Sequence, residues 1–459
     1  MPLLLLRITM ALLLVGAALP VRAEEMERAL DNGLRVVVKV DRRAPVVVSQ
    51  VWYRAGSMDE RNGTTGVAHV LEHMMFKGTR DVPAGEFSKR IAAAGGRENA
   101  FTSRDHTVYF QTLQKDRLEL ALKLEADRMA NLVLSPQEFA KEIEVVKEER
   151  RLRTEDNAQA RLGEALMANA FMAHPYRRPV IGWMDDLRHM TVGDARGWYE
   201  HWYAPNNATL VVAGDVDPEQ VFAWARRYFG GIASRPLPER KPQTEPDQVG
   251  ERRVTVKAPA KLPVVALAWQ APRLTAPASD REPYALEILV GVLDGNASAR
   301  LNQSLVRDRK LAMEVDASYD PVSRGPALFT VDATPAEGHG VAEVEAALKA
   351  EIARVAREGV SATELSRVKA QVVAAQVFQQ DSLFYQAMQI GEWTTAGLNY
   401  RDRQTRLERL KAVTPEEVQS VAGKFFVDDH LTVAVLDPQP LPEGENVTKR
   451  GFAGGGHVR

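Results

Sequence analysis

A proline-rich segment near the middle of the chain divides the sequence into two parts. Residues 230–250 read GGIASRPLPERKPQTEPDQVG and show neither helical nor strand periodicity. Proline lacks a backbone N–H and interrupts both helices and sheet pairing, so this segment is expected to join two domains. The chain has 459 residues, which leaves about 200 for each part, enough for a separate core.

Both parts combine strand-like and helix-like stretches. Short apolar runs predict strands before the linker at 35–40, 46–52, 107–112 and 208–213, and after it at 254–257, 264–269, 328–331 and 431–436. Longer stretches with helical periodicity separate these strands. Each half is therefore predicted to be α+β.

Two matching helix starts indicate that the halves are copies of one unit. Ser135 and Ser361 each precede a long helical stretch as the N-cap, and each is followed by a glutamate at the position that completes a capping box. We expect two homologous domains, residues 24–232 and 251–440, joined by a linker at residues 233–250.

The N-terminus has the pattern of a cleaved signal peptide. Residues 1–23 combine Arg7 with an apolar stretch and end in small residues around Ala23. The stretch is shorter than the roughly 20 residues that span a bilayer. We predict a periplasmic or secreted protein without stable membrane insertion, the alternative being retention of this segment as an inner-membrane anchor.

Residues 441–459 are glycine-rich and predicted to be a flexible tail.

Composition limits the chemistry and the partners. The chain contains no cysteine, so any metal must be held by histidine and carboxylate side chains. The formal net charge is only -2, so no global field favours a nucleic acid, and none is expected as a partner.

The sequence His69-Val70-Leu71-Glu72-His73 has the spacing of a metal site. Residues 67–77 read VAHVLEHMMFK, which suits a helix. Four residues make about one helical turn, so the two histidines project from one face in the geometry of zinc ligands. Glu72 lies close to the same face and is the candidate general base for a water on the metal.

The third ligand is expected from the helix that Ser135 opens. Glu142 and Glu149 lie about two turns apart on one face of this helix. The face also carries Val145 and Val146, so it should pack inward, where carboxylates need a cation or donors. We assign Glu149 as the ligand and Glu142 as a residue that orients a ligand or balances charge, although periodicity alone allows the roles to be exchanged.

The second half lacks the equivalent residues. It contains no His-x-x-Glu-His, and the positions at the corresponding offsets from Ser361 are Val368 and Ala375. We therefore expect one zinc ion per chain.

These residues resemble the insulinase (pitrilysin-type) family of zinc peptidases. Besides the motif and Glu149, the resemblance rests on the segments ENAFTSRDHTVYF (98–110), HPYRRPVIGW (174–183) and YAPNNATLVVAGDVDP (203–218). It implies Glu149 as the ligand, Glu72 as the base and two domains of the mitochondrial processing peptidase type, each an antiparallel or mixed sheet packed with helices. It also implies a zinc-dependent endopeptidase that hydrolyses extended or unfolded peptides in an enclosed chamber.

The resemblance further implies residues that bind the substrate. Asn99 and Ala100 are expected on an edge strand to which an extended peptide adds. The family uses an Arg and a Tyr to hold the scissile carbonyl; Arg307 fits the first, but Met313 stands where the Tyr is expected. Tyr319 would lie about 20 Å further along a strand. We therefore expect either a heterodimer, in which a homologous metal-free subunit supplies an Arg/Tyr pair, or a homodimer.

A noncatalytic structural or binding subunit of the same fold is the alternative function. The intact set of His69, Glu72, His73 and Glu149 favours the peptidase, because such subunits have usually lost part of it.

Overall fold

The computed structural model describes residues 25–441. The predicted signal peptide, residues 1–23, and nearly all of the predicted tail, residues 441–459, lie outside this range. No helix within the described range is long and apolar enough to cross a membrane.

The first half contains strands and helices in mixed order. They are β1 (Glu25–Ala29), β2 (Arg35–Val40), β3 (Val46–Tyr53), α1 (Val67–Met74), α2 (Glu86–Ala93), β4 (Arg97–Thr102), β5 (Thr107–Gln114), α3 (Leu118–Asn131), α4 (Pro136–Arg150), α5 (Ala158–Ala170), α6 (Met184–His189), α7 (Val192–Trp202), β6 (Ala208–Gly214) and α8 (Pro218–Phe229). A π-helical turn, Arg151–Glu155, follows α4 directly.

The second half follows a segment, residues 233–250, without regular secondary structure. Its elements are β7 (Arg252–Pro259), β8 (Val264–Ala271), α9 (Glu282–Asp294), β9 (Ala312–Tyr319), β10 (Ala327–Pro335), α10 (Val341–Glu358), α11 (Ala362–Gln379), α12 (Leu383–Ala396), α13 (Arg403–Ala412), α14 (Pro415–Phe425) and β11 (Leu431–Gln439). A second π-helical turn, Asn302–Asp308, precedes β9.

The two sheets repeat one topology. The first has the order β1-β2-β6-β3-β5-β4 and the second the order β7-β11-β8-β10-β9. Without β1, both follow the sequence first, fifth, second, fourth, third strand of the half. In both, the first and last strands pair in parallel, and the other pairs are antiparallel. The predicted fold class, two homologous α+β domains with mixed sheets, is confirmed.

All eight predicted strands are present, and three others were not predicted from periodicity. The additional strands are β1, β4 and β9, which lie at sheet edges and read EMERA, RENAFT and AMEVDASY. An edge strand is covered less than a central one, so its sequence carries a weaker apolar pattern. Strand β6, buried along its whole length, was easily recognised.

One helix of each half packs against the sheet of the other half. Helix α12 of the second half packs against β3 and β6, and Gly391 lies directly over the ring of Trp52. Helix α5 of the first half packs against β7, β8 and β11, with Leu162 and Leu166 in a cluster with the alanines of that sheet. The two halves therefore share apolar cores.

Candidate metal centre

Helix α1 carries the His-x-x-Glu-His motif and is buried along its whole length. Its start is determined by Gly66, which has a φ of 89°; a Cβ there would lie 2.5 Å from the carbonyl oxygen of Ile181. The carboxylate of Glu60 accepts hydrogen bonds from the N–H groups of Gly66 and Ala68 at 2.8 and 2.9 Å, which satisfies this helix end. The helix ends at Met74, three residues before the end of the predicted stretch 67–77.

The structure brings together His69, His73 and Glu149. The two imidazole rings lie 4.7 Å apart between centroids. Glu149, near the end of α4, places Oε2 3.3 Å from His73 Nε2 and Oε1 3.9 Å from His69 Nε2. One ligand atom from each of the three residues lies within 4.8 Å of the others.

These three side chains fit a zinc ion by chemistry and by spacing. Two imidazole nitrogens and one carboxylate oxygen are a donor set of catalytic zinc sites, which keep a fourth position open. Ligand atoms around a tetrahedral zinc lie about 3.3 Å apart. The His73–Glu149 distance of 3.3 Å matches this spacing, the His69–Glu149 distance is 3.9 Å, and all three ligand atoms lie within 4.8 Å of one another. Burial keeps the set away from bulk water.

Glu142 lies on the other side of His73. The N–H at Nδ1 of His73 donates to Glu142 Oε1 at 2.8 Å, which directs Nε2 towards Glu149. Lys77 Nζ lies 2.5 Å from the second oxygen of Glu142. Burial raises the pKa of Glu142, but the hydrogen bonds from His73 and Lys77 outweigh it and lower the pKa to about 2. Glu142 is therefore an ionised carboxylate that accepts the Nδ1 proton of His73.

Glu149 is also held in its ionised form. Burial raises its pKa, but the hydrogen bond from His73, the charges of both histidines and that of Arg153 outweigh burial and lower the pKa to about 2. Arg153, in the π-helical turn after α4, lies 2.7 Å from Glu149 Oε1. A metal ligand must be deprotonated, and Glu149 meets that condition over the whole neutral range.

The expected packing of α4 was wrong at Val145. This side chain is 47% exposed, whereas Val146 is completely buried. The buried stripe of the helix runs through Phe139, Ile143 and Val146, because successive residues rotate by about 100°. Glu142 and Glu149 therefore lie at the edge of this buried stripe rather than at its centre. Val145 lies beyond them, on the exposed side of the helix.

Glu72 makes a hydrogen bond that the motif did not predict. The hydroxyl of Thr102, at the end of β4, donates to Glu72 Oε2 at 2.6 Å. Thr102 follows Ala100 on the same face of the strand, within the segment ENAFTSRDHTVYF. No pattern within one segment could have placed Thr102 beside Glu72, because the contact joins two separate elements, β4 and α1.

Asn99 and Ala100 lie on the edge strand β4, which pairs with β5. The Ala100 side chain is buried, and its backbone N–H donates to Asn99 Oδ1 at 2.8 Å. Asn99 and Ala100 therefore occupy the edge-strand position that was expected for them. A peptide strand that pairs with the N–H of Ala100 must first displace the side chain of Asn99.

Arg307 and Met313 belong to elements of the second half, whereas the candidate metal ligands belong to α1 and α4 of the first half. Arg307 is exposed in the π-helical turn Asn302–Asp308. Met313 is 52% exposed. The hydroxyl of Tyr319 donates a hydrogen bond to the carbonyl of Pro272 at 2.5 Å. This tyrosine therefore forms its hydrogen bond within the second half.

Family models match both halves of the chain. Residues 35–183 match the model described as "Insulinase (Peptidase family M16)". Residues 189–372 match the model described as "Peptidase M16 inactive domain". The boundary between the two matches falls before α7, and the first match contains all three residues of the ligand cluster.

Similar proteins are named zinc proteases. The zinc protease PqqE of Helicobacter pylori is 36% identical over 292 residues, which cover 62% of this chain and 64% of that protein. An uncharacterised zinc protease of Mycobacterium leprae is 30% identical over 414 residues, 89% of this chain and 91% of that protein.

Solved structures share the fold over most of the chain. A protease from Helicobacter pylori has a TM-score of 0.86 at 28% identity and covers 91% of this chain and 100% of its own. The periplasmic protease PqqL of Escherichia coli has a TM-score of 0.78 at 21% identity, and the match covers 95% of this chain but 52% of that one.

Proposed function

The chain belongs to the insulinase family of peptidases (peptidase family M16), and from this premise we propose that it is a zinc-dependent endopeptidase. The observation that carries the proposal is the cluster of His69, His73 and Glu149, whose ligand atoms lie within 4.8 Å of one another. Glu72, on the same buried helix, is not one of these three residues, and we propose its carboxylate for acid–base chemistry. One zinc ion per chain is proposed, because the second half lacks equivalent residues.

A zinc ion in this cluster would supply Lewis acidity towards a carbonyl oxygen and towards water. Glu72 accepts the proton of the attacking water and returns it to the leaving amine, which requires a carboxylate held in a fixed orientation. Glu142 keeps His73 in the tautomer with Nε2 as the ligand atom, since its carboxylate accepts the Nδ1 proton.

The proposed substrates are extended or unfolded peptides. Strand β4 is the edge of its sheet, and it connects directly with the base through Thr102. A peptide that adds to this edge at Asn99 and Ala100 is held by its backbone, so recognition needs an extended chain more than a particular sequence. An enclosed chamber around the edge would exclude folded proteins.

The chamber is proposed to need a second subunit. Met313 cannot donate a hydrogen bond to a developing oxyanion, and it is exposed together with Arg307. A homologous metal-free subunit that supplies an Arg/Tyr pair, or a second copy of this chain, would complete the site. The match to about half of the longer Escherichia coli chain supports an assembly of two such units.

The proposed location is the periplasm or the exterior of the cell. The proposal rests on the signal-like sequence of residues 1–23. Sequencing the N-terminus of the mature protein separates a cleaved signal peptide from a retained inner-membrane anchor.

The experiment that tests the activity combines zinc stoichiometry with cleavage of an unstructured peptide. Assayed together with any homologous subunit that binds it, the wild-type chain is expected to bind one zinc ion and to cleave, and Glu72→Gln is expected to bind zinc equally and to lose about 10²- to 10⁴-fold in kcat. Unchanged cleavage by the zinc-loaded variant contradicts the role of Glu72, and absence of bound zinc contradicts the metal site. Removal by chelator and restoration by zinc is the control.

A noncatalytic subunit is the second candidate. It is favoured by the match of residues 189–372 to the inactive-domain model. This candidate predicts zinc binding without cleavage, both for the chain alone and after addition of a homologous subunit.

A further inference from the structure

We propose that Thr102 is a positioning residue for Glu72: its hydroxyl holds the carboxylate of the general base in the orientation that proton transfer requires. The proposal rests on the proposed function, because Glu72 has this role only in a peptidase. Thr102 is neither a proposed metal ligand nor a proposed substrate-binding residue, and its hydroxyl contacts Glu72, so its role is exerted through Glu72.

The contact is short and completely buried. Thr102 Oγ1 lies 2.6 Å from Glu72 Oε2, and both side chains are buried. A carboxylate at such a depth needs hydrogen-bond donors to remain ionised. A bond to one oxygen also fixes the plane of the carboxylate, and with it the direction of the other oxygen.

The hydroxyl protons nearby can be assigned from their acceptors. Thr107, on β5 opposite Thr102, donates to the carbonyl of Ala55 at 3.0 Å, and a carbonyl only accepts. Thr107 therefore has no proton left for Thr102, whose own oxygen is 3.4 Å away. The proton of Thr102 is directed to its nearer acceptor, the carboxylate of Glu72.

The same strand is the proposed binding edge for the peptide. Ala100 and Thr102 are on one face of β4, so the backbone that pairs with substrate and the hydroxyl that holds the base move together. Two hydrogen bonds hold the turn that follows Thr102. Asp105, in this turn, accepts one from the backbone N–H of Arg324 at 2.9 Å and one from the hydroxyl of Tyr176 at 2.5 Å. The position of the base is thereby coupled to the strand that positions the scissile bond.

The test compares three substitutions in the full zinc-loaded chain, purified with any homologous subunit that binds it. Thr102→Val has nearly the same shape but lacks the hydroxyl, Thr102→Ser restores the donor, and Thr107→Val makes the matched deletion at the neighbouring buried threonine. Thr102→Val is expected to lower kcat by about 10- to 100-fold, with KM and zinc stoichiometry unchanged. Thr102→Ser is expected to restore kcat, and Thr107→Val to keep it.

A second measurement does not depend on activity. Crystal structures of Thr102→Val and Thr107→Val are expected to show the Glu72 carboxylate rotated in the first and unmoved in the second. A wild-type carboxylate position in Thr102→Val, or equal losses of kcat in the two valine variants, overturns the proposal. Absence of cleavage by wild type contradicts the peptidase function instead, and the crystal structures then still decide whether Thr102 positions Glu72.

Discussion

Arg324 in the second half donates two hydrogen bonds to the carboxylate of Asp59 in the first half, from Nη1 to Oδ2 at 2.7 Å and from Nη2 to Oδ1 at 2.9 Å. Both side chains are only 4% exposed. Arg240, in the segment that joins the halves, donates to the same carboxylate at 2.9 Å. The ion pair therefore fixes the relative position of the halves beside the turn that follows β4.

Removal of this guanidinium is expected to destabilise the protein strongly. Arg324→Ala leaves the buried carboxylate of Asp59 with hydrogen bonds only from Arg240 and from the backbone N–H of Gly56. Loss of one partner of a buried ion pair costs about 3–5 kcal/mol. The measurement is the free energy of unfolding in urea, and the double variant with Asp59→Asn should lose less than the sum of the single variants.

The matched control is an ion pair on the surface. Arg28 and Glu219 form a salt bridge with side chains 43% and 65% exposed. Arg28→Ala is expected to lower the free energy of unfolding far less than Arg324→Ala, because solvent screens an exposed ion pair. Similar losses for Arg28→Ala and Arg324→Ala would contradict the role of burial at the junction.

The two carboxylates of α4 are expected to differ in their effect on zinc. Glu149→Gln removes a ligand and should abolish stoichiometric binding. Glu142→Gln leaves all three ligands but weakens the acceptor for His73, so the affinity for zinc should fall by about 10- to 100-fold. Competition with a chromogenic chelator measures both.

A third glutamate of the same helix serves as the control. Glu144 pairs with Lys147 and has a side chain 64% exposed, so Glu144→Gln should leave the affinity for zinc unchanged. If Glu142→Gln abolished binding and Glu149→Gln only weakened it, the two assigned roles would have to be exchanged.

Local spacing was sufficient to predict part of the site. Two histidines on one face follow from about 3.6 residues per turn, and the same rule applied to α4 selected Glu142 and Glu149. It did not show which side of α4 is buried, because that depends on the element packed against it, and Val145 was therefore misplaced. The contact between Thr102 and Glu72 joins α1 to β4, so no single periodicity contains it.

The sequence patterns also did not predict that a helix of each half packs against the sheet of the other half. The apolar runs predicted half-buried strands such as β7 and β10 as well as the fully buried β6. By contrast, α5 and α12 have ordinary amphipathic sequences, and nothing in them indicates that each covers the sheet of the other half. The linker predicted two separate cores, whereas Trp52 of the first half lies in an apolar cluster with residues of the second.

Stability should depend on pH through Asp332. Burial, together with the charges of Asp316, Glu314 and Asp294, raises the pKa of Asp332 from 3.8 to about 7; Asp316 is its direct partner across β9 and β10. Between pH 4 and pH 7, Asp332 of the folded chain holds a proton that the unfolded chain has released. The free energy of unfolding therefore falls as pH rises through this range. Asp332→Asn removes this dependence, and its advantage over wild type should grow from pH 4 to pH 8.

The measurement is the urea midpoint of both proteins at several pH values in that interval. Asp185→Asn, at a side chain 80% exposed, removes one negative charge without burial and should follow the wild-type curve. Parallel curves for wild type and Asp332→Asn would show that Asp332 is not protonated in the folded state.

Close packing of α12 on the first sheet should make Gly391 intolerant of a side chain. A Cβ at this position would lie 1.9 Å from the Trp52 ring, so Gly391→Ala must separate α12 from β3, at a cost of about 1–3 kcal/mol. The same substitution at Gly423, in α14, meets no atom closer than the Cβ of Ala356 at 4.0 Å and should stabilise the protein by up to about 1 kcal/mol through helix propensity. Opposite signs in the urea midpoints of the two variants are expected. A gain in stability for both would mean that α12 does not depend on contact with Trp52 for its place on the sheet.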